Sequence, residues 1–127
     1  MDVQLISSMF EELPRQGPGS DEATAFALSF IPPHHKRGRI LDVGCGSGMQ
    51  TLTLARTCPD CRVTASDLHQ PFLDDVNSRA TKAGLSGRIE TRQASMDALP
   101  FDDASFDMVW AEGSAFIIGI GPALKYW

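Results

Sequence analysis

The sequence predicts an α/β fold built on a parallel β-sheet, and two observations carry this prediction. Between residues 38 and 110, short apolar segments alternate with segments of helical periodicity, an order typical of a parallel sheet with helices on its faces. The second observation is the stretch ILDVGCGSGMQ, residues 40–50, in which three glycines stand between an apolar run and a helical pattern. Such a strand, turn and helix favour a ligand site at the carboxyl end of the strand.

Two helices are predicted ahead of the sheet. Apolar residues at helical spacing (Val3, Ile6, Phe10 and Leu13) indicate a first helix over residues 2–13, which Pro14 ends. Ser20 suits the N-cap of a second helix, because Asp21 and Glu22 in its first turn complement the helix dipole. The residues expected to be buried on this second helix are Ala23, Phe26, Ala27 and Phe30.

The remaining pattern predicts four strands and two further helices. The strands are expected at residues 40–43, 62–66, 88–93 and 106–110. One helix is expected over residues 49–57, with Leu52 and Ala55 facing inward. The next is expected to open at Pro71 and to end at Gly84, which suits a C-terminal cap. Its buried stripe is expected to consist of Phe72, Val76, Ala80 and Ala83.

Length and composition restrict the class of protein. With 127 residues, 43% hydrophobic and 21% charged, the chain is expected to form one soluble globular domain. A net charge of −5 argues against a nucleic-acid partner, since such binding relies on clustered Lys and Arg. No run approaches the ~18 apolar residues of a membrane span, and the N-terminus lacks the basic start of a signal peptide. No membrane association is therefore expected.

Three cysteines, an odd number, favour a reducing compartment, so a cytoplasmic location is expected. Cys58 and Cys61 form a C-P-D-C sequence that raises the question of redox or zinc chemistry. A structural zinc site needs four ligands and no second pair is present in the sequence. We therefore expect incidental thiols and no metal site.

The glycine stretch has a chemical meaning of its own. Glycine lets the backbone turn sharply and approach a ligand closely, and the free N–H groups of the following helix then face polar or anionic ligand groups. Asp67 stands at the predicted carboxyl tip of the second strand, 23 positions after Gly44. A carboxylate there is placed to accept hydrogen bonds from ribose hydroxyls, which predicts a nucleotide-like ligand.

The spacing of the glycines differs from the dinucleotide fingerprint G-x-G-x-x-G, which requires glycine where Met49 stands. The sequence D-x-G-x-G-x-G, from Asp42 to Gly48, resembles the first motif of the class I S-adenosylmethionine-dependent methyltransferases. VTASDLHQPFLDD is similar to their second motif, and ASMDALPFDDASFDMVWAEGS to the stretch that leads into their fourth strand. Together these segments cover residues 38–115 in the family's order.

The resemblance implies a Rossmann-like, doubly wound parallel sheet of seven strands, of which this chain contains the part up to the fourth. It divides the chain into a helical cover segment, residues 1–35, and a nucleotide-binding core, residues 38–127. The RQGPGS sequence at residues 15–20 suits a hinge for such a cover. Arg15 either reaches the carboxylate of the cofactor or is an ordinary solvated side chain, and the sequence leaves this open.

The resemblance also assigns the cofactor S-adenosylmethionine to particular residues. Gly44 and Gly46 would form the floor under its methionine part, and Asp42 would orient its ammonium group. Asp67 would bind the ribose and Leu68 would pack on the adenine. Ser95 and Met96 match the positions that contact the adenine edge. The complete set expected to bind the cofactor is Asp42, Gly44, Cys45, Gly46, Gln50, Asp67, Leu68, Ser95, Met96 and Glu112.

The implied reaction is transfer of a methyl group from a sulfonium, for which alignment of the reactants is the main contribution of the protein. No catalytic residue is assigned. Glu112 is expected either to deprotonate the acceptor or to help bind the cofactor's amino group, and the second role is favoured because no histidine or second acid accompanies it nearby. The sequence WAEGS differs from the N-P-P-Y type, which favours a small-molecule acceptor. Two alternatives stay open: an NAD-linked oxidoreductase and a non-catalytic regulatory module.

Overall fold

The computed structural model describes residues 2–127, except for the side chain of Val3. The described residues form a four-stranded, fully parallel sheet of strand order β3-β2-β1-β4. The strands are β1 (Gly38–Val43), β2 (Cys61–Asp67), β3 (Ile89–Gln93) and β4 (Met108–Trp110). The sheet confirms the predicted Rossmann-like α/β class, and each strand overlaps its predicted position.

Among the described residues, five α-helices accompany the strands: α1 (Val3–Ser8), α2 (Asp21–Ser29), α3 (Met49–Thr57), α4 (Gln70–Lys82) and α5 (Ile120–Tyr126). Helix α3 follows β1 and α4 follows β2, and both helices contact β2 and each other. They therefore lie on one face of the sheet, and α2 packs against α3. The bounds of α3 match the prediction, and Gly84 after α4 adopts the predicted left-handed conformation with φ of +69°.

The core lies between α3, α4 and the strands that they follow. Its fully buried side chains include Leu54 of α3, Val63 of β2 and Val76 of α4. The inward faces predicted for these two helices are confirmed, since Leu52, Ala55, Phe72 and Ala80 are buried, with Ala83 partly buried at their margin. No helix among residues 2–127 is long and apolar enough to cross a membrane.

The N-terminal helices differ from the prediction. Helix α1 ends at Ser8, and turns replace the expected helix over residues 9–12. The expected contact face of α1 included Val3, whose side chain lies outside the described residues. The buried face of α2 was predicted wrongly: Thr24 and Leu28 are buried, whereas Phe26 and Phe30 are 67% and 71% exposed. Ala23 and Ala27 are exposed as well.

The expectation of incidental thiols at Cys58 and Cys61 is also wrong, because these two residues form a disulfide. The disulfide joins the C-cap of α3 to the first residue of β2. Arg88 donates from Nη1 to the carbonyl oxygens of Cys58 and Cys61, both at 3.2 Å. The third cysteine, Cys45, is free and buried.

Candidate functional site

The strand order places the glycine loop at the point where the sheet reverses its direction of growth. The chain runs outward from β1 through β2 to β3 and then returns to the opposite side of β1 with β4. In open parallel sheets, the crevice at such a switch point, beyond the carboxyl ends of the strands, is where ligands bind. Here the crevice is bordered by the segments that follow Val43 and Trp110.

The glycine loop is fixed to the neighbouring strand. The backbone N–H groups of Gly44 and Cys45 both donate to the carbonyl oxygen of Ser66, at 2.9 and 3.0 Å. Gly44 and Gly46 adopt φ values of +68° and +54°, a region that other residues enter only at a cost. The predicted sharp turn is therefore present at the carboxyl end of β1.

Side chains of the protein itself occupy the space beside each glycine. A Cβ on Gly44 would lie 2.6 Å from Cβ of Ser114 and 3.4 Å from Cε of Met96. A Cβ on Gly46 would lie 2.5 Å from Oε1 of Gln16. Ser114 also donates from Oγ to the carbonyl oxygen of Val43 at 2.6 Å. Sequence reasoning missed both Gln16 and Ser114, because neither belongs to a periodic pattern or lies next to the glycines in sequence.

Asp67 lies at the carboxyl tip of β2, as predicted, and it contacts the glycine loop directly. Its Oδ2 accepts a hydrogen bond from the N–H of Gly46 at 2.9 Å, and its Oδ1 accepts one from the N–H of His69 at 3.0 Å. Leu68, the next residue, leaves 52% of its surface exposed beside this carboxylate. The structure thus brings the glycine loop, an acid and an accessible apolar side chain together.

Asp42 is a fully buried acid near the end of β1. Its Oδ2 accepts a hydrogen bond from Oγ1 of Thr51 at 2.6 Å, whereas its buried Oδ1 has no hydrogen-bond partner among the described residues. Burial raises the pKa of this carboxyl from 3.8 to about 7; the hydroxyl of Thr51 and the side-chain amide of Gln50 oppose the rise, and the charges of Glu112 and Asp67 add to it. An unpartnered carboxylate oxygen of this kind favours a cationic or hydrogen-bond-donating ligand group.

The segment after β3 contains the two residues predicted to contact adenine. Ser95 donates from Oγ to Oδ1 of Asp97, and the terminal methyl of Met96 approaches Gly44. The carbonyl oxygen of Met96 accepts a hydrogen bond from Nε1 of Trp127 at 2.8 Å. Met96 is therefore close to the glycine loop, and the Oγ of Ser95 is engaged by a neighbour in sequence.

Two other predicted residues, Cys45 and Gln50, form buried hydrogen bonds to the backbone of the glycine loop. Cys45 is buried, with its Sγ directed to the carbonyl oxygen of Gly46 at 3.3 Å, and burial raises the pKa of its thiol. Gln50 donates from Nε2 to the carbonyl oxygen of Cys45 at 2.9 Å. Both side chains support the loop from inside the protein.

Glu112 lies two residues beyond β4, and its carboxylate contacts three side chains. It accepts hydrogen bonds from Oγ1 of Thr24 at 2.8 and 2.9 Å and from Nε1 of Trp110 at 3.1 Å. It also forms an ion pair with Arg15, whose Nη1 lies at 3.3 Å. Arg15, left open by the sequence, is largely buried and pairs with Asp21 as well. Neither Thr24 nor Trp110 was anticipated as a partner, and Thr24 is 88 residues away in sequence.

The N-terminal segment also lies against the glycine loop. The N–H of Ser47 donates to Oε1 of Gln16 at 2.7 Å, and Oγ of Ser47 donates to the carbonyl oxygen of Pro14 at 3.0 Å. Gln16 in turn donates from Nε2 to the carbonyl oxygens of Phe10 and Leu13. Residues 14–16 therefore form one side of the crevice.

These features fit S-adenosylmethionine. The site contains three carboxylates. Asp67 and Glu112 lie close enough to Asp42 for their charges to raise its pKa. Such an environment favours a ligand with positively charged ammonium and sulfonium groups. The unpartnered Oδ1 of Asp42 offers an acceptor for an ammonium group. The fold and this donor and acceptor set define a class of protein: a doubly wound α/β domain with a nucleotide-type site.

The comparisons with known proteins identify the family. Residues 40–122 match the family model described as a methyltransferase domain. The chain belongs to this family, the class I S-adenosylmethionine-dependent methyltransferases. It is 40% identical over 84 residues to 27-O-demethylrifamycin SV methyltransferase of Amycolatopsis mediterranei, covering 66% of this chain and 30% of that protein.

A further relative is also a methyltransferase, and a solved structure shares the fold. Ribosomal RNA small subunit methyltransferase C of Escherichia coli is 40% identical over 71 residues, which cover 56% of this chain and 20% of that protein. The X-ray structure of YjhP from E. coli superposes with a TM-score of 0.79 at 23% identity, over 97% of this chain and 49% of that one. The chain thus spans at most about half the length of these relatives.

Proposed function

We propose that this protein is a methyltransferase that binds S-adenosylmethionine at the carboxyl edge of the sheet and methylates a small molecule. The observation that supports this most directly is the 2.9 Å hydrogen bond between the N–H of Gly46 and the carboxylate of Asp67. It joins the glycine loop and the acid of the next strand, the two parts of a nucleotide-type site, in one place.

In this proposal, the residues of the chain bind and orient the cofactor. Asp42 accepts a hydrogen bond from its ammonium group through the unpartnered Oδ1, and the backbone of Gly44 and Gly46 lies beneath the methionine part. Asp67 retains acceptor capacity for the ribose hydroxyls, because each of its oxygens accepts one bond within the chain. Leu68 packs on the adenine, with Ser95 and Met96 at its edge. The bound cofactor supplies an electrophilic methyl group on a sulfonium.

The other predicted contacts are included in the proposal with narrower roles. Cys45 and Gln50 keep the loop in shape through the hydrogen bond between Gln50 and the Cys45 carbonyl. Glu112 lies at the edge of the site, where Arg15, Thr24 and Trp110 bind its carboxylate. Residues 1–35 form a cover and residues 38–127 the nucleotide-binding core. The contacts of Gln16 and Pro14 with Ser47 support this division, because a cover must meet the core at the glycine loop.

The acceptor is proposed to be a small molecule. One relative is named for a rifamycin derivative and another for ribosomal RNA. The net charge of −5 of this chain favours the first kind of acceptor, since RNA binding gains its affinity largely from neutralised phosphates. A filter-binding assay with a ribosomal RNA hairpin at 0.15 M salt tests this choice. Submicromolar, salt-dependent binding would contradict the small-molecule proposal.

Calorimetric titration with S-adenosylmethionine, S-adenosylhomocysteine and NAD separates the main proposal from its alternatives. We expect binding of the first two ligands with one site per chain, and no heat with NAD. Tight binding of NAD alone would favour the oxidoreductase. If S-adenosylmethionine and S-adenosylhomocysteine both bind but no methyl group is transferred to any member of a panel of phenols, amines and thiols, the chain is better described as a cofactor-binding module.

A further inference from the structure

Glu112 connects three separate segments at the carboxyl end of β4. Its oxygens accept from Thr24 on α2, from Trp110 at the end of β4 and from Arg15 in the loop before α2. Arg15 is 97 residues away in sequence. A carboxylate bound by a hydroxyl, an indole N–H and a guanidinium has its main acceptor directions satisfied by the chain itself.

The backbone at the start of α2 closes around this carboxylate. Gly19 has a φ of +140°, and a Cβ there would lie 3.0 Å from Oε1 of Glu112 and 3.6 Å from Nη1 of Arg15. Ser20 caps α2 through a bond from the N–H of Ala23, so the helix begins two residues after this close approach, at Asp21. The first turn of α2 therefore rests directly on the ion pair.

The same N-terminal segment reaches the glycine loop a few residues earlier, where Gln16 accepts from the N–H of Ser47. Only Arg15 separates this contact from the carbonyl group of Pro14, which accepts from Ser47. The contacts of Arg15 and Thr24 with Glu112 and those of Pro14 and Gln16 with Ser47 therefore lie within one short segment, residues 14–24.

We propose that Glu112 is a positioning residue: it holds Arg15 and the first turn of α2 against the sheet and thereby keeps residues 14–16 docked on the glycine loop. It acts through Arg15 and Thr24 and does not itself contact the cofactor. The docking is a property of the free chain, whereas its effect on cofactor affinity rests on the proposed function. A ligand that requires the docked segment loses apparent affinity in proportion to the undocked fraction.

Amide hydrogen exchange of residues 14–24 in the ligand-free chain tests the docking. Glu112→Gln removes the charge that holds Arg15, and Thr24→Val removes the hydroxyl while preserving the shape of the side chain. We expect exchange in this segment to accelerate about tenfold or more in both variants, the ratio expected for loss of a hydrogen bond to a charged group. Glu22→Gln, which neutralises an exposed acid on the same helix turn, is the matched control and should leave the rates close to those of the wild type.

Titration of the same proteins with S-adenosylmethionine supplies the second readout. The affinity for S-adenosylmethionine should fall in Glu112→Gln and in Arg15→Gln. The double variant should bind as tightly as the single variant of lower affinity, because both substitutions remove the same contact. If Glu112 instead contacts the cofactor directly, Glu112→Gln would weaken binding of S-adenosylmethionine and leave hydrogen exchange in the free chain unchanged. This result would overturn the proposal.

The remaining outcomes are also decisive. Unchanged exchange in Thr24→Val contradicts the docking role even if Glu112→Gln fails to fold. Full additivity of the Arg15 and Glu112 substitutions in affinity likewise overturns it. If the wild type shows no binding of S-adenosylmethionine while exchange responds as expected, the proposed function fails and the positioning role of Glu112 stands.

Discussion

Gly46 lacks a side chain at a point where two parts of the chain meet. Its φ of +54° already disfavours other residues, and the position that a Cβ would take lies 2.5 Å from Oε1 of Gln16. The sequence suggested that this space belongs to a ligand. In the structure, the amide oxygen of Gln16 lies on the side where a Cβ would be, and it also accepts from the N–H of Ser47.

A pair of glycine substitutions separates backbone strain from this contact. Gly84 has a similar φ of +69° but no atom within 4 Å of the Cβ position. We expect Gly84→Ala to lower the free energy of unfolding by about 1 kcal/mol, the cost of a left-handed conformation. Gly46→Ala should cost clearly more, because Gln16 must also move. Urea unfolding of both variants measures the difference, and equal losses would show that the contact with Gln16 contributes nothing.

Asp42 links the stability of the chain to pH. Its carboxyl has a pKa of 3.8 in a solvated state and about 7 when folded, so the folded chain binds more protons between these values. The free energy of unfolding therefore falls as pH rises through this window. Below about pH 4 the ionisation cost is absent, and above about pH 7 it is complete.

We expect this single group to lower the free energy of unfolding by about 2 to 3 kcal/mol between pH 5 and pH 8, from the size of the pKa difference. Asp42→Asn removes the titrating group and should flatten that part of the profile. Urea unfolding of both proteins at the two pH values provides the measurement. A variant with the same pH slope as the wild type would mean that the carboxyl of Asp42 does not titrate in this range.

Helix α2 shows which features of a helix its own sequence determines. The Ser20 cap and the acidic first turn correctly predicted where it begins. Its buried face was not predictable from periodicity, because Phe26 and Phe30 compete with Leu28 as apolar candidates. Thr24 is buried because its hydroxyl binds Glu112, a partner from the far end of the chain that no local pattern reveals.

Because Leu28 and not Phe26 lies on the buried face of α2, truncating these two side chains should change the free energy of unfolding by different amounts. Leu28 is fully buried, so Leu28→Ala should cost about 2 to 5 kcal/mol of unfolding free energy. Phe26→Ala removes a larger side chain from an exposed position and should cost about 0.5 kcal/mol or less. Thermal and urea unfolding of the two variants test this order. A larger loss for Phe26→Ala would restore the face predicted from the sequence.

The connection between α3 and β2 makes a chemical prediction as well. Cys58 and Cys61 are paired and Cys45 is free, so thiol titration in denaturant without reductant should count one thiol. After reduction the count should rise to three. Closure of this short loop is expected to stabilise the chain by about 2 kcal/mol, on the loop-entropy estimate. Three thiols in the unreduced, freshly purified protein would contradict the disulfide.

At the scale of the whole molecule, parallel strands bring distant residues to one edge. The glycine loop and Asp67 were predictable, because each immediately follows or ends a strand whose apolar pattern is clear. Gln16, Thr24 and Ser114 were not, since their places in the site depend on how the N-terminal segment and the chain after β4 pack against the core. The sequence thus predicts the residues at the floor of the crevice, whereas the residues at its sides are identified only from the structure.

Amide hydrogen exchange of the whole chain, with and without saturating S-adenosylmethionine, tests the location of the site most directly. We expect protection to be concentrated in three segments at the carboxyl edge of the sheet: residues 44–48, 67–69 and 94–97. The opposite edge, including the disulfide loop at residues 58–61, should show no change and serves as the internal control. Binding accompanied by protection only at that opposite edge, or only along α5, would contradict the assigned site.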